Sequence, residues 1–180
     1  MATSLVSTGV QFPNASAQTT AQRGLTSGTL VNTTSGVGID FTGIPSWAKR
    51  VTLMMSSVST NGTSYLIIYM GSGGVIETAG YTGAGVRLSQ SNNTYLYSPS
   101  GFPVSSENAP DDLRTGSFVF TLVDSNRWVI NGATTTSNYP YGTVILTGTK
   151  TTVSALDRIR VIPANSADAF DSGYMNILYE

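Results

Sequence analysis

Two short segments combine tyrosine with small polar residues, a composition suited to holding a sugar. Residues 92–97 read Asn-Asn-Thr-Tyr-Leu-Tyr, and residues 138–141 read Asn-Tyr-Pro-Tyr. A flat aromatic ring offers an apolar platform, and amide and hydroxyl groups orient a ligand by hydrogen bonds. The alternative is that these rings pack at strand ends or at a subunit interface, with their hydroxyl groups in water. The candidate receptor- or glycan-binding residues are Trp47, Asn93, Tyr95, Tyr97, Tyr139 and Tyr141.

Paired carboxylates are the second kind of candidate. Asp111 adjoins Asp112, and Asp168 lies three residues before Asp171. Ca²⁺ takes oxygen ligands only, so either pair could supply ligands to a calcium site. Neither has the alternating Asp/Asn pattern of a calcium loop, so solvated loop carboxylates are the favoured interpretation. We therefore predict no metal site and no cofactor, and we expect Asp40 to form a surface ion pair.

Tyr81, Arg87 and Arg114 are expected in or beside loops. An arginine side chain can hold an anionic receptor group through two parallel hydrogen bonds. For Arg114, a structural salt bridge to Asp111 or Asp112 is the favoured alternative.

Composition excludes several classes of function. The 180 residues contain no cysteine and no histidine, so no disulfide, thiolate nucleophile or Ser-His-Asp triad is possible. Glycoside hydrolysis needs two carboxylates, but no spacing among the ten acidic residues selects a pair, and we predict a protein that is not an enzyme. The nine basic residues are scattered, which predicts no nucleic-acid binding. The longest apolar run, residues 65–70, is too short for a membrane-spanning helix.

The chain consists of short β-branched or aromatic runs bounded by Gly, Pro, Asn or Ser, a pattern typical of strands. This pattern predicts an all-β fold, an antiparallel β-sandwich that is jelly-roll-like. The predicted strands are residues 5–12, 28–32, 36–41, 49–58, 64–71, 75–78, 86–90, 94–97, 116–124, 127–131, 143–149, 158–163 and 174–180.

Local patterns give finer expectations. The Asn61-Gly62 pair predicts a hairpin between two strong strands, and residues 124–126 predict a second tight connection. Residues 65–70 are apolar on both faces, so this strand is either central within one subunit or faces another subunit. Residues 98–112 contain three prolines and are predicted to form one long loop.

The first 25 residues differ from the remainder and are predicted to form an N-terminal arm, with the β-sandwich domain spanning residues 26–180. The polar stretch 18–22 follows one short extended piece, so the arm cannot bury itself and must pair with its own domain's sheet edge or with another chain. The candidate particle-attachment residues are Val10, Phe12 and Pro13.

Several motifs resemble those of known proteins. Residues 9–14 (Gly-Val-Gln-Phe-Pro-Asn), followed by residues 18–21 (Gln-Thr-Thr-Ala), resemble an element that recurs in bacteriophage tail-fibre proteins, although that element normally has Asp where this chain has Asn14. Further motifs resemble a family of small virion structural proteins of tailed phages; they lie at residues 41–45, 49–52, 56–63, 76–81, 156–161 and 170–180. The resemblance covers roughly the first half and the last 25 residues.

The resemblance implies a homotrimeric protein on the surface of a phage particle, made in the host cytoplasm. The first hypothesis is a tail fibre or fibre tip that binds a host-surface receptor, such as a glycan, and is attached to other phage structural proteins through its N-terminal arm. The second is a capsid decoration or cement protein that stabilises the phage head. A third interpretation, independent of the resemblance, is a bacterial β-sandwich binding module.

Overall fold

The computed structural model describes residues 4–6, 9–11, 17–18, 24–89, 92–105, 110, 112–137 and 142–180. No helix lies in these ranges. The strands are β1 (Ser4–Val6), β2 (Gly9–Gln11), β3 (Ala17–Gln18), β4 (Thr26–Ser27), β5 (Val31–Asn32), β6 (Ile39–Thr42), β7 (Arg50–Thr60), β8 (Leu66–Ser72), β9 (Val75–Glu77), β10 (Tyr81–Ser89), β11 (Thr94–Tyr97), β12 (Phe102–Pro103), β13 (Arg114–Asp124), β14 (Arg127–Thr136), β15 (Gly142–Thr151), β16 (Leu156–Pro163) and β17 (Phe170–Tyr179).

Two antiparallel sheets make up the main body, as the all-β prediction requires. The larger sheet has nine strands in the order β11-β10-β15-β14-β13-β7-β17-β4, and β5 also pairs with β17. The smaller sheet has the order β12-β8-β16-β6, and β9 also pairs with β8. Both sheets contribute to one buried apolar cluster, an arrangement consistent with a β-sandwich.

The N-terminal strands pair with one another. β1 pairs with β2, and β2 pairs with β3, in a separate three-stranded sheet. The sequence predicts that this segment pairs either with the edge of its own domain's sheet or with another chain. The observed pairing of the N-terminal strands with one another is neither of these. Val10 lies in β2, opposite Leu5 and Gln18. Phe12 and Pro13 lie outside the described residues.

Alternating side chains build the core, as predicted from the sequence. Along β7, Val51, Leu53 and Met55 are buried, and along β13 Phe118 and Phe120 are fully buried. The opposing layer includes Ile159 and Val161 of β16, among others. Alternation along each strand therefore fixes which face of each sheet points inward.

The apolar strand β8 is covered on both faces by its own chain. Leu66, Ile68 and Met70 point into the shared core and are fully buried. On the other face Ile67 is only 6% exposed, because the backbone at Gly101 lies so close that an added Cβ would approach Ile67 Cγ2 to 2.4 Å. Of the two interpretations of this strand, the central position within one subunit is therefore favoured.

The predicted Asn-Gly hairpin is wrong. β7 and β8, which this turn joins, belong to different sheets and do not pair. Gly62 is needed for a different reason: an added Cβ there would lie 2.1 Å from Asp168 Cγ. The turn therefore carries the chain from one sheet to the other, and its glycine leaves room for a carboxylate.

Two tight hairpins occur elsewhere. Gly73 and Gly74 join β8 to β9 with φ angles of +59° and +85°, the positive values that a type I′ turn requires at both central positions. Ser125 and Asn126 join β13 to β14, which confirms the second predicted connection. The long loop predicted for residues 98–112 is interrupted by β12, which pairs with β8.

A buried ion pair links three strands beneath the β8–β9 hairpin. Lys150 on β15 contacts Glu77 on β9, and the exposed fractions of the two side chains are only 5% and 13%. Burial alone would raise the pKa of Glu77, but hydrogen bonds from Lys150, from Val153 N–H and from the Ser72 hydroxyl hold it below its ordinary value. The Tyr81 hydroxyl donates to Glu77 O at 2.7 Å.

This ion pair predicts an acid-dependent part of the stability. Because the folded-state pKa of Glu77 is lowered, its carboxylate stabilises the fold at neutral pH, and this contribution disappears as pH falls through the folded pKa. We expect Glu77→Gln to lower the unfolding free energy at pH 7 by about 2–3 kcal/mol, and to make the further loss between about pH 6 and about pH 3 smaller than in the native chain. Urea denaturation at a series of pH values measures both effects.

The matched control is Glu180→Gln. Glu180 pairs with Arg50, but both side chains are about half exposed. Glu180→Gln should lower the unfolding free energy at pH 7 by less than about 0.5 kcal/mol. Equal losses for the two variants would contradict a stabilising role for the buried pair.

Candidate functional site

The exposed tyrosines of the first aromatic segment lie on an edge strand. β11 pairs with β10, with Tyr95 opposite Val86 and Tyr97 opposite Ala84. The two tyrosines share one face of the hairpin because they are two residues apart. Tyr95 is 88% exposed and Tyr97 is 70% exposed, and Asn93 is exposed at the turn before the strand. For these two rings, packing within the subunit is ruled out.

A groove runs beside these tyrosines at the open end of the sandwich. Its volume is about 430 Å³, within the range of small-molecule sites. One wall is the β10–β11 hairpin, and the other comes from the residue before β8 and from β12. The lining residues are Tyr65, Arg87, Thr94, Tyr95, Leu96, Tyr97 and Pro103.

Sequence reasoning missed Tyr65 and Pro103 as members of this groove. Tyr65 was assigned to the two-sided strand, and Pro103 to a featureless loop. They reach the hairpin only because β12 pairs with β8 at Ile67 and Ile68, a contact that no local pattern indicates. Arg87, expected beside a loop, lies instead within β10, between Val144 of β15 and Thr94 of β11.

Trp47 lies far from the groove. Its ring packs against Tyr179 of β17, with 5.6 Å between ring centroids, and the side chain is half-buried against the core. β17 lies six strand positions from β11 in the sheet order, a separation of roughly 29 Å at about 4.8 Å per strand. The structure therefore does not bring Trp47 together with Tyr95 and Tyr97.

The second aromatic segment cannot be placed relative to this groove, because Tyr139 and Tyr141 lie outside the described residues. β15 begins at Gly142, directly opposite Ser89 of β10. The candidate role of both tyrosines stays a prediction.

Three further depressions among the described residues lack an exposed pair of aromatic rings. A groove of about 440 Å³ contains Asp40 and Arg160, which bind each other through two hydrogen bonds of 2.7 Å. This contact confirms the surface ion pair expected for Asp40. A third depression, of about 340 Å³, lies between β4 and β6.

Arg114 forms the centre of a buried polar cluster rather than an exposed anion site. Its side chain is fully buried, and Nη1 donates to the backbone oxygen of Asp112 at 3.3 Å. Burial lowers the pKa of Arg114, while the negative charges of Asp112, Asp171 and Asp168 act in the opposite direction. The guanidinium is therefore the cation that these three carboxylates share.

The same cluster holds Asp168. Ser64 donates to Asp168 Oδ2 from its hydroxyl at 2.6 Å and from its backbone N–H at 3.0 Å, and these bonds, with the charge of Arg114, lower the pKa of Asp168. Ser59 donates its hydroxyl hydrogen to Asp171. The favoured interpretation of Asp112 and Asp168 as solvated carboxylates is wrong, since they are only 2% and 9% exposed.

No group of three or more acidic residues in the described ranges is arranged to hold a metal ion. Among the same residues, no helix is long and apolar enough to cross a membrane.

Comparison of the chain with protein-family models, with curated protein sequences and with solved structures found no match. The functional argument therefore depends on the geometry of this molecule and on the sequence motifs.

Loss of the buried cation should destabilise the fold strongly. We expect Arg114→Met to lower the unfolding free energy by about 3–4 kcal/mol, because three carboxylates lose the charge that compensates them. The control is Arg127→Met, in which an arginine 57% exposed loses its pairing with Asp124 in the same hairpin. That variant should lower the unfolding free energy by less than about 0.5 kcal/mol. Urea denaturation at pH 7 compares them, and similar losses would contradict the buried-cation argument.

Proposed function

We propose that this protein lies on the surface of a phage particle, is not an enzyme, and binds a host-surface glycan as a tail fibre or fibre tip. The observation that carries the proposal is the pair of largely exposed rings, Tyr95 and Tyr97, on one face of the β10–β11 hairpin, which also borders a groove. The phage context comes from the sequence resemblance.

The groove has the features that sugar recognition needs. Two of its tyrosines are largely exposed, so their rings are accessible to the apolar face of a sugar ring. The tyrosine hydroxyl groups supply hydrogen-bond donors and acceptors at the ends of those rings. A concave volume with an apolar lining and a few oriented polar groups is the usual form of a small-molecule site.

A trimeric assembly and a jelly-roll connectivity are parts of the same proposal. Support for self-association comes from the outer face of the nine-stranded sheet, which is crossed by an uncharged row of paired residues: Asn176, Met54, Ser117, Ala133, Ile145 and Val86. A shallow depression of about 610 Å³ lies at its centre. A second copy is a suitable partner because burying this uncharged row against it would leave no charge of the row unpaired.

The size of this face approaches that of a stable contact. Six strands at about 4.8 Å spacing span roughly 24 Å, and about 25 Å of strand length gives an area of roughly 600 Å². Stable interfaces bury about 800 Å² on each partner. The N-terminal segment that contains Val10, Phe12 and Pro13 is left to attach the protein to other phage structural proteins by adding a strand.

Glycan binding is tested on the intact protein. We expect the native chain to bind host-envelope glycans on an array, and the double variant Tyr95→Ala/Tyr97→Ala to bind at least about tenfold more weakly, because the exposed aromatic platform is lost. Tyr174→Ala is the matched control, since Tyr174 is 50% exposed on the distant strand β17. Absence of glycan binding by the native chain, or equal loss in the control, would overturn the proposal.

The second candidate, a capsid decoration protein, is favoured by the wide uncharged sheet face, which suits contact with a protein surface. The copy number of this protein in purified virions distinguishes a tail fibre from a capsid decoration protein. Quantitative mass spectrometry measures it against the major capsid protein. A tail fibre should be present in a few dozen copies at most. Hundreds of copies would indicate a capsid location and would remove most of the functional interest of the groove.

A further inference from the structure

The rings of Tyr95 and Tyr97 point outward from the nine-stranded sheet, away from the sandwich core. Their cross-strand neighbours on β10 are Val86 and Ala84, and neither side chain can form a hydrogen bond. With exposed fractions of 88% and 70%, the rings border the groove along one margin only. The two rings are therefore an aromatic platform that the described part of the same copy leaves largely uncovered.

An aromatic platform of this kind is one part of a sugar site. Small-molecule sites usually enclose most of their ligand and combine an apolar lining with a few oriented polar groups. Within the two cross-strand pairs, the polar side-chain groups are the phenol hydroxyls at the ring ends. A sugar stacked on these rings would still need a second wall and further hydrogen-bond partners.

The centre of the same outer face has the complementary composition. The shallow depression of about 610 Å³ on β13, β14 and β15 is lined by hydroxyl and amide side chains and by no aromatic ring. These polar residues, all of them exposed, are Thr115, Ser117, Asn131, Thr135 and Thr147. The depression thus offers hydrogen-bond donors and acceptors without a platform.

The platform and the depression cannot enclose a sugar within one copy. β11 and β14 are three strand positions apart, a separation of roughly 14 Å at about 4.8 Å per strand. Because both patches belong to the same outward surface, they point in the same direction and cannot face each other. The outer face of a second copy can lie opposite and bring its depression over the rings.

We propose that two neighbouring copies complete each sugar site, with Tyr95 and Tyr97 of one copy facing the hydroxyl-lined depression of the next. This inference rests on the proposed glycan-binding function and names a second copy of the chain as the partner at that site. A contact between two different patches is heterologous, the kind that closes a ring of three copies. Burying the row that joins the patches would leave no charge of that row unpaired. Its residues are Tyr97, Ala84, Thr147, Asn131, Val119 and Thr52.

Complementation between two defective variants tests this proposal. The platform variant is Tyr95→Ala/Tyr97→Ala, and the depression variant is Asn131→Ala/Thr147→Ala, which changes two exposed residues that lie opposite each other. Trimers of either variant alone should bind sugar at least about tenfold more weakly than the native trimer. Co-expression with two different tags, followed by purification on both, isolates mixed trimers.

A shared site predicts that mixed trimers regain binding. In a ring of three copies that contains both variants, intact rings face an intact depression at one junction. We therefore expect about one sugar site in each mixed trimer, against about three in the native trimer. Equilibrium dialysis with labelled oligosaccharides released from the host envelope counts the sites, and light scattering measures the oligomeric state.

The control variant is Thr42→Ala/Ser166→Ala, which removes two exposed hydroxyl groups on the side of the smaller sheet. It should bind the oligosaccharides as the native protein does. Thermal unfolding of every variant checks that the fold persists, as expected for substitutions of exposed side chains.

The outcomes separate this inference from the proposed function. Mixed trimers that bind no better than their parents would overturn the shared site while leaving glycan binding in place. Sugar binding by a monomeric native protein, or unchanged binding by the depression variant, would overturn it in the same way. A platform variant that falls apart into monomers would show that the rings hold subunits together, which also contradicts the proposal. If the native protein binds none of the oligosaccharides, both proposals fail.

Discussion

The buried charge of Arg114 imposes a constraint on which much of the structure depends. A guanidinium inside the sandwich needs compensating groups. Its Nη1 and Nη2 donate to the backbone oxygens of Asp112, before β13, and Ser64, after β7, and the negative charges of Asp168 and Asp171, before and within β17, act on it as well. The turn that crosses between the sheets, the entry to β13 and the entry to β17 are thereby held at one end of the core. The ion pair of Lys150 and Glu77 likewise holds the β8–β9 hairpin in place against β15.

The groove forms because a short strand, β12, extends the edge of the smaller sheet. β12 adds two residues to the edge of β8, and this pairing positions Pro103 beside the β10–β11 hairpin. The Tyr81 ring packs edge-on against Phe102 with 4.9 Å between centroids, so the strand that carries Arg87 is anchored to the same short segment. Rigid elements on both sides thus position the exposed tyrosines, an arrangement that favours a preformed site.

Local pattern predicted most of the strands because period-two alternation depends only on neighbouring residues. Val51, Leu53 and Met55 illustrate this, since burial on one face is visible in their spacing. The features that were missed involve distant residues. Asn61-Gly62 has the composition of a hairpin turn, but Asp168, more than a hundred residues away, determines its role. Tyr65 likewise lines the same groove as the β10–β11 hairpin only through sheet pairing, so the aromatic segment was recognisable while the groove was not.

The uncharged, hydroxyl-rich exterior has a consequence for the conditions in which the domain works. The charged side chains of Arg114 and Lys150 are buried, and dissolved ions screen buried charges weakly. Exposed pairs such as Arg50 with Glu180 contribute little in any case. The fold is therefore expected to keep nearly the same stability in dilute water and in brine.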